Sequence, residues 1–312
     1  MKHIFIVNPA AGSKSPALAL IPELRLAAQA LGAEYEIYET KHAGDATEFV
    51  RARCGEAAGT LRFHACGGDG TLNEVVAGAI GQPNAEVAVI PVGSGNDFFR
   101  VIAGADAKAD ISRAIRGTAK SVDAIRYTAV LDGGAEKSGY AINMCNIGFD
   151  AAVVEKAGEI KKIPLLGGPM SYLAGVFSTL VKKPVAQLEI TADGTPYASG
   201  EFLLCTVANG AYCGGGYFAS PLADIQDGEL NFVTVKNITR RFFVSILSKY
   251  RAGEHLTEPR LKGVIDHTAA KKLTIAAKQP AAMAIDGEVV RILRAEFEIV
   301  PGAVRLAVPV GE

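Results

Sequence analysis

The sequence predicts an α/β protein of two domains, an N-terminal parallel α/β sandwich followed by a C-terminal β-rich sandwich, with the active site in the cleft between them. Three observations lead there. Short β-rich runs alternate with helical patterns through the first 120 residues, which implies a parallel sheet with helices on both faces. From about Val122 the texture changes to β-branched runs separated by turn residues. The chain, at 312 residues, also exceeds one typical domain of roughly 100 to 200 residues. The boundary is therefore placed near Val122, giving domains 1–122 and 123–312.

The elements follow in order. Strand His3 to Val7 leads to helix Ala17 to Leu31, strand Tyr35 to Glu39 to helix Ala43 to Arg53, and strand Leu61 to Cys66 to helix Leu72 to Ile80. Strand Val87 to Pro91 then passes through a Gly turn into a helical segment, Phe98 to Ile102, with another helix near Ile111. In the second domain, strands are expected at Ala124 to Leu131, Gly139 to Cys145, Gln187 to Ala192, Glu201 to Ala208 and Glu229 to Val235. Further strands are expected at Lys272 to Ala276, Met283 to Ile285, Phe297 to Val300 and Val304 to Val308. The helices there are Thr239 to Tyr250 and the segment after Pro169. No internal repeat or low-complexity tract appears.

Composition narrows the function classes. Hydrophobic residues make up 49% and charged residues 21%, the balance of a globular chain. With 32 basic and 33 acidic residues there is no positive field to hold a polyanion, so nucleic acid is not an expected partner. Cys54, Cys66, Cys145, Cys205 and Cys213 are odd in number, form no CxxC pair and lie mostly in apolar runs, so they read as reduced, buried thiols. His3, His42, His64, His255 and His267 show no metal-ligand spacing. Met1-Lys2-His3 passes straight into a strand without a signal-peptide h-region, so the cytoplasm is the expected location. Ile163 to Val181 is free of charge but is broken by Gly167, Gly168 and Pro169. The helix left after those breakers spans roughly 18 Å, too short for a ~30 Å hydrocarbon core.

Three loops carry the chemistry. GGDGTLNE, Gly67 to Glu74, lies between an apolar strand and a helix, where glycines allow a tight bend and amides at a helix N-terminus favour an anion. Phosphate is the natural guest, and Asp69 inside such a loop would repel it unless a divalent cation, magnesium, stood between them. The alternative is a tight turn with Asp69 as a helix cap. Asn8-Pro9-Ala10-Ala11-Gly12 and Gly93-Ser94-Gly95-Asn96-Asp97 leave two other strands of the same sheet. Parallel strands end at one edge, so the three loops are expected to gather around one crevice and bring Asp97 toward Asp69. Walker A and dinucleotide fingerprints are absent.

With its upstream NPxxG and downstream GSGNDFFR, GGDGTLNE resembles the catalytic domain of the diacylglycerol kinase, bacterial lipid kinase and sphingosine kinase family. The resemblance extends to Asn146-Ile147-Gly148-Phe149-Asp150, to PLADIQDGEL at Pro221 to Leu230 and to Asp286-Gly287-Glu288, so it covers Ile4 to Pro309. It implies a fold like the NAD and diacylglycerol kinases and an ATP-dependent transfer of phosphate to a lipid hydroxyl. It also implies that Asn8, Pro9, Ala10, Ala11, Gly12, Thr40, Gly67, Gly68, Asp69, Gly70, Thr71, Leu72, Asn73, Glu74, Gly93, Ser94, Asn96 and Asp97 line the ATP site. Ser94 stands where the family often has threonine and keeps the hydroxyl. Asp69 and Asp97 would organise catalytic Mg2+, and Asp224, Asp227 and Glu229 map to a structural magnesium site. At 224 and 229 the family contributes mainly backbone carbonyls, so the acids there are a departure. Glu288 or Asp286 would accept the proton of the substrate hydroxyl, which an attacking alcohol must shed. A plain Asp-Gly turn is the alternative for that segment.

A lipid alcohol substrate implies transient peripheral contact with a membrane through an apolar surface with a basic rim. Lys161 to Lys183 and the helix starting Arg240-Arg241-Phe242-Phe243 are the two candidates, with core-facing amphipathic helices as the alternative. An NAD kinase-like small-molecule kinase shares the GGDG loop, and a non-catalytic nucleotide- or lipid-binding protein is the reading from another class. A homodimer is compatible with the sequence.

Overall fold

The structure, a computed structural model, describes residues 1–11, 16–93, 95–105, 107–160 and 169–308. It consists of two compact units, Met1–Asp123 with Gly302–Glu312, and Ala124–Pro301.

The first unit is a βα alternation. Its elements are β1 (Lys2–Val7), α1 (Pro16–Ala19), α2 (Ile21–Ala30), β2 (Glu34–Glu39), α3 (Asp45–Glu56), β3 (Leu61–Gly67) and α4 (Asp69–Ala79). β4 (Ala85–Pro91), α5 (Asp97–Ala103) and α6 (Ile111–Arg116) complete it. The sheet order β2-β1-β3-β4 is parallel throughout, with Val7 level with Cys66 and Glu39, and Gly67 level with Pro91. β1, β3 and β4 are almost wholly buried, as expected of a parallel sheet covered on both faces. Phe5, Val7, Leu24, Ala28, Cys66 and Ile90 form its core.

The helix expected from Ala17 to Leu31 is two helices, because Pro22 occupies a first-turn position and restarts the run after Leu20.

The second unit is antiparallel. Its first elements are β5 (Thr118–Leu131), which starts in the first unit, β6 (Glu136–Ala141), β7 (Met144–Gly148), α7 (Phe149–Ile160) and α8 (Pro169–Lys182). β8 (Ala186–Ala192), β9 (Thr195–Ala208), β10 (Leu230–Lys236), α9 (Arg240–Arg251), β11 (Ile265–Ala270), β12 (Lys272–Ile285) and β13 (Glu288–Val308) follow. The order within the unit is β11-β10-β9-β7-β12-β13, with β8 pairing β12 and β9, and β6 pairing β5. Alternate residues of these strands point into a core that contains Ile147, Val207, Phe232, Ile275, Met283 and Phe297.

Three differences from the sequence reading have physical causes. Helix α7 was not expected; it follows Gly148, whose φ of 94° turns the chain out of β7, and it buries Phe149 and Val153 in one apolar cluster and Ala151 against Ala282 and Ala284 in another. Gly139 to Cys145 is not one strand, because Ile142 and Asn143 interrupt it to satisfy Asp286. The second domain does not run to the C-terminus. Leu306 pairs in parallel with Val87 of β4, and Gly302 donates its amide to Asp123 at 2.7 Å, so the last strand segment belongs to the first unit.

Candidate active site

The loops at the carboxyl ends of β1, β3 and β4 meet within the first unit. Asn8 Nδ2 donates to Thr71 Oγ1 at 2.9 Å, which ties the loop after β1 to the first turn of α4. Asn8 also accepts the Ala10 amide on its own side-chain oxygen, an Asx turn that fixes Pro9 and Ala10. Thr71 can fold back this way because residue 67 has no side chain: a β-carbon on Gly67 would lie 2.2 Å from Thr71 Oγ1.

The loops after β3 and β4 are packed backbone to backbone. A β-carbon on Gly93 would fall 2.7 Å from the Gly68 α-carbon, so glycine at 93 is a steric requirement. Val92 and Gly93 both donate their amides to Gly67 O. Asn96 adopts a left-handed conformation, φ 51°, that asparagine tolerates, and Nδ2 of its side chain returns to Gly93 O at 2.6 Å.

This arrangement brings the two aspartates together. Asp69 opens α4, and its Oδ1 accepts the Phe98 amide in the first turn of α5 at 3.2 Å. Asp97 is the buried first residue of α5, with Arg100 Nε 4.0 Å from its Oδ1. Gly95 lies between them: a β-carbon there would stand 3.0 Å from Asp69 Oδ2 and 3.5 Å from Asp97 Oδ2. Two carboxylate oxygens thus face one small space kept open by a missing side chain. Paired carboxylates with phosphate and water oxygens completing the shell are the usual protein contribution to a Mg2+ site, so the donor set fits that ion. Gly95 was not among the residues picked out from sequence; its place between Ser94 and Asn96 in a Gly-rich turn was the available signal.

Other expected residues have defined places. Gly70, Leu72 and Asn73 lie in the first turns of α4, and Thr40 donates its amide to Val7 O at the carboxyl edge of the sheet. Glu74 is turned away from the loop cluster, accepting the Ala46 amide and offering its carbonyl to Thr47, which joins α3 to α4. Ala11 donates its amide to Asn8 O. Gly12 and Ser94 lie outside the described residues.

In the second unit, Asp286 and Gly287 form the two-residue turn between β12 and β13, with φ values of 43° and 97°. Positive φ at both positions is what a type I′ hairpin demands, and Asp-Gly supplies it. Yet Asp286 does more than turn the chain. Its Oδ2 accepts the Ile142 amide at 2.8 Å, and its Oδ1 accepts those of Asn143 and Met144 at 3.2 and 2.9 Å. Glu288 is different: its side chain is 67% exposed, with Lys137 Nζ 3.5 Å from Oε2.

Asp224 and Asp227 bond their own loop, accepting the Gln226 and Glu229 amides at 2.9 Å each, and all three acids of that segment are exposed. Among the described residues no set of three His, Cys, Asp or Glu side chains is gathered as for a metal, so Asp224, Asp227 and Glu229 make no side-chain cage. All five cysteines are buried and none forms a disulfide among the described residues. Burial pushes the Cys66 and Cys205 thiols far up, which leaves them unreactive. No helix among the described residues is long and apolar enough to cross a membrane.

Gly-rich anion loops and paired acids at the carboxyl edge of a parallel sheet, together with a β-sandwich unit, define the class of NAD kinase-like and lipid kinase-like phosphotransferases. Comparison with known proteins narrows it. Residues 2–127 match the diacylglycerol kinase catalytic domain, and residues 143–308 match the YegS C-terminal NAD kinase beta sandwich-like domain. The chain is 30% identical to a "Probable lipid kinase YegS-like" of Pseudomonas aeruginosa, over 90% of this chain and 86% of that one. It is also 30% identical to a diacylglycerol kinase of Staphylococcus epidermidis, over 94% and 87% of the two chains. Among solved structures, a diacylglycerol kinase from Bacillus anthracis matches 98% of this chain and 96% of its own with a TM-score of 0.69 at 23% identity. An NAD kinase from Archaeoglobus fulgidus in complex with ATP shares the fold at a TM-score of 0.51 and 12% identity, covering 100% and 94% of the two chains. The chain belongs to the diacylglycerol kinase and bacterial lipid kinase family, and as such is a phosphotransferase.

Proposed function

We propose that this protein transfers the γ-phosphate of ATP to a hydroxyl of a lipid alcohol such as diacylglycerol. The observation that carries the reading is the convergence of Asp69 and Asp97 on Gly95, beside the first turn of α4. Amides at that helix start favour phosphate, while two carboxylates in the same place favour a cation. Both preferences are met by a metal-bound polyphosphate. Asp69 and Asp97 would hold Mg2+, which when bound neutralises charge on the transferring group.

The remaining parts follow from the residues present. The turns of residues 8–11 and 67–71 would receive the phosphates, with Asn8 and Thr71 holding each other in place. An acceptor hydroxyl needs a base. The reading assigns that role to Glu288, whose carboxylate is exposed, rather than to Asp286, whose two oxygens already take three backbone amides. Asp286 is then a positioning residue for the segment 142–144. Peripheral membrane association follows from a lipid substrate.

The test is incubation of the purified protein with γ-labelled ATP, magnesium and a panel of lipid alcohols, with NAD alongside. Label in a phospholipid product supports the reading. Label in NADP alone overturns it in favour of a nucleotide acceptor, and no label in any acceptor, with ATP still bound, points to a binding protein.

A further inference from the structure

Asp286 organises more of the second unit than the turn it belongs to. Its carboxylate collects the amides of residues 142–144, and that segment in turn holds the chain from Asn209 to Tyr212. Asn143 O accepts the Asn209 and Gly210 amides at 2.8 and 2.9 Å. Asn209 Nδ2 donates to Ile142 O at 2.7 Å, and Asn143 Nδ2 to Tyr212 O at 2.9 Å. Both asparagines are buried, so two interior amides and one aspartate fix a single stretch of loop.

The loop continues as a tight hairpin. Cys213 donates its amide to Tyr217 O at 2.9 Å and Tyr217 returns one to Cys213 O at 2.8 Å, around Gly214, Gly215 and Gly216. The three glycines have φ values of 59°, 79° and 110°, which let the chain close so sharply. Extended chain on either side of that bridge sends neighbouring side chains to opposite faces. Cys213, Tyr217 and Ala219 turn into the core they share with Val176 and Phe243. Tyr212 and Phe218, the next pair outward from the bridge, lie on the other face and stay partly exposed.

That outer pair is held rigidly. The two rings stack with centroids 4.7 Å apart and planes 13° from parallel. Phe218 is backed by the chain at residue 253, where a β-carbon would stand 2.4 Å from its Cδ1, and its amide donates to Arg251 O at 3.1 Å. Tyr212 is pinned through its own carbonyl by Asn143. The same knot fixes Asp286, two residues before Glu288, the exposed carboxylate to which the base role is assigned. A flat aromatic wall and the base therefore hang from one scaffold within the second unit.

We infer that Tyr212 is an acceptor-contact residue whose ring, backed by Phe218, packs against the carbons next to the hydroxyl that Glu288 deprotonates. A ring already stacked in place offers a broad contact at little cost in side-chain freedom. The contact favours an alcohol whose neighbouring carbons carry esters. A free polyol would leave its other hydroxyls unpaired against the ring, which disfavours it. The inference rests on the lipid-kinase reading, names the residue that reads the acceptor, and is tested so that the two can fail separately.

The test joins steady-state kinetics to calorimetric binding of dihexanoylglycerol, a water-soluble diacylglycerol, by the full chain with magnesium and a non-hydrolysable ATP analogue. Tyr212→Ala is expected to raise both KM and Kd for dihexanoylglycerol about tenfold, the order of one lost aromatic contact, and to leave the KM for ATP within about twofold. Tyr212→Phe should keep the natural values, because the ring and not the phenol oxygen makes the contact. Should Tyr212→Ala melt below the natural sequence by circular dichroism, Tyr212→Leu, which keeps apolar bulk without a flat ring, gives the comparison instead. Unchanged KM and Kd for the acceptor in the folded variant, or an equal rise in the KM for ATP, overturns the inference and leaves the kinase reading standing. Binding of dihexanoylglycerol that the variant weakens, without any transfer from ATP, supports the inference while the kinase reading falls. Natural-sequence protein that neither binds nor phosphorylates dihexanoylglycerol overturns the inference outright.

Discussion

Oδ1 of Asp69 accepts the backbone amide of Phe98 at 3.2 Å, so the residue that opens α4 also caps the start of α5. One side chain therefore holds two loops in register and presents its second oxygen to the space beside Gly95.

That double role separates two substitutions. Asp69→Asn keeps an acceptor for the Phe98 amide and loses the charge, so melting stays nearly unchanged while phosphoryl transfer falls by at least about a hundredfold. Asp69→Ala loses both and melts lower, by about 1 kcal/mol in stability. Denaturant titration and initial rates on the two variants check this.

Gly95→Ala tests the open space directly. A methyl group there would press on Asp69 Oδ2 at 3.0 Å and touch Asp97 Oδ2 at 3.5 Å, so the Asp69 carboxylate must give way and the space between the two acids is filled. The expected result is a rise of at least about tenfold in the magnesium concentration for half-maximal rate, a loss of about 1.4 kcal/mol in ion affinity. Magnesium titration of activity measures it.

The turn between β12 and β13 divides into a structural and a chemical half. Asp286→Ala strands the Ile142, Asn143 and Met144 amides and costs about 2 to 4 kcal/mol in unfolding free energy. Glu288→Ala removes an exposed side chain, shifts stability by no more than about 0.5 kcal/mol, and lowers kcat by about a hundredfold or more if it is the base. Chemical denaturation with kcat for both variants decides the assignment.

Acid should weaken the first unit through its buried histidines. His64 is fully buried, with Nε2 3.0 Å from His3 Nδ1; burial and the neighbouring His3 and Arg62 hold its pKa well below the usual 6.5. Burial and Arg62 also lower His3. Lowered values mean that the unfolded chain takes up protons first as pH falls. The contribution is complete above about pH 7 and declines below about 6.5, by up to about 1.4 kcal/mol per pH unit for each ring. Melting curves across that range are expected to fall on the acid side, and the double replacement H3F/H64L to flatten part of the limb.

Asp150 behaves in the opposite sense. Its carboxyl is buried against an apolar cavity lined by Val176, Leu203, Phe243 and Ile246, and burial raises its pKa from 3.8 to about 7. Its Oδ2 has no hydrogen-bond partner among the described residues. A raised value makes the group's contribution complete below about pH 4 and loses it as pH rises toward 7. Asp150→Asn should therefore stabilise the protein more at pH 8 than at pH 5, as differential scanning calorimetry can show.

Much of the site was legible because its signals are local. Gly67 to Glu74 announces its own turn and helix, and the parallel topology follows from the βα alternation, so the meeting of Asp69 with Asp97 could be argued before any coordinates. What stayed hidden is long-range. Nothing in residues 302–308 distinguishes a strand of the second unit from one that returns to pair with Val87, because a strand's own pattern does not name its neighbour. Asp286 looked like a turn residue or a base; that its carboxylate gathers three amides from residues 142–144 depends on pairing across more than a hundred positions. Helix α7 was missed since its short apolar repeat follows directly on a strand, and only the positive φ of Gly148 separates the two.

The central claim is that Asp69 and Asp97 together hold a metal-bound polyphosphate. Transfer of label from γ-labelled ATP to diacylglycerol in the presence of magnesium, compared among the natural sequence, Asp69→Asn and Asp97→Asn, tests it most directly. The account predicts labelled product from the natural sequence and a loss of at least about a hundredfold in each variant, with native melting retained. Full transfer by either folded variant would contradict it.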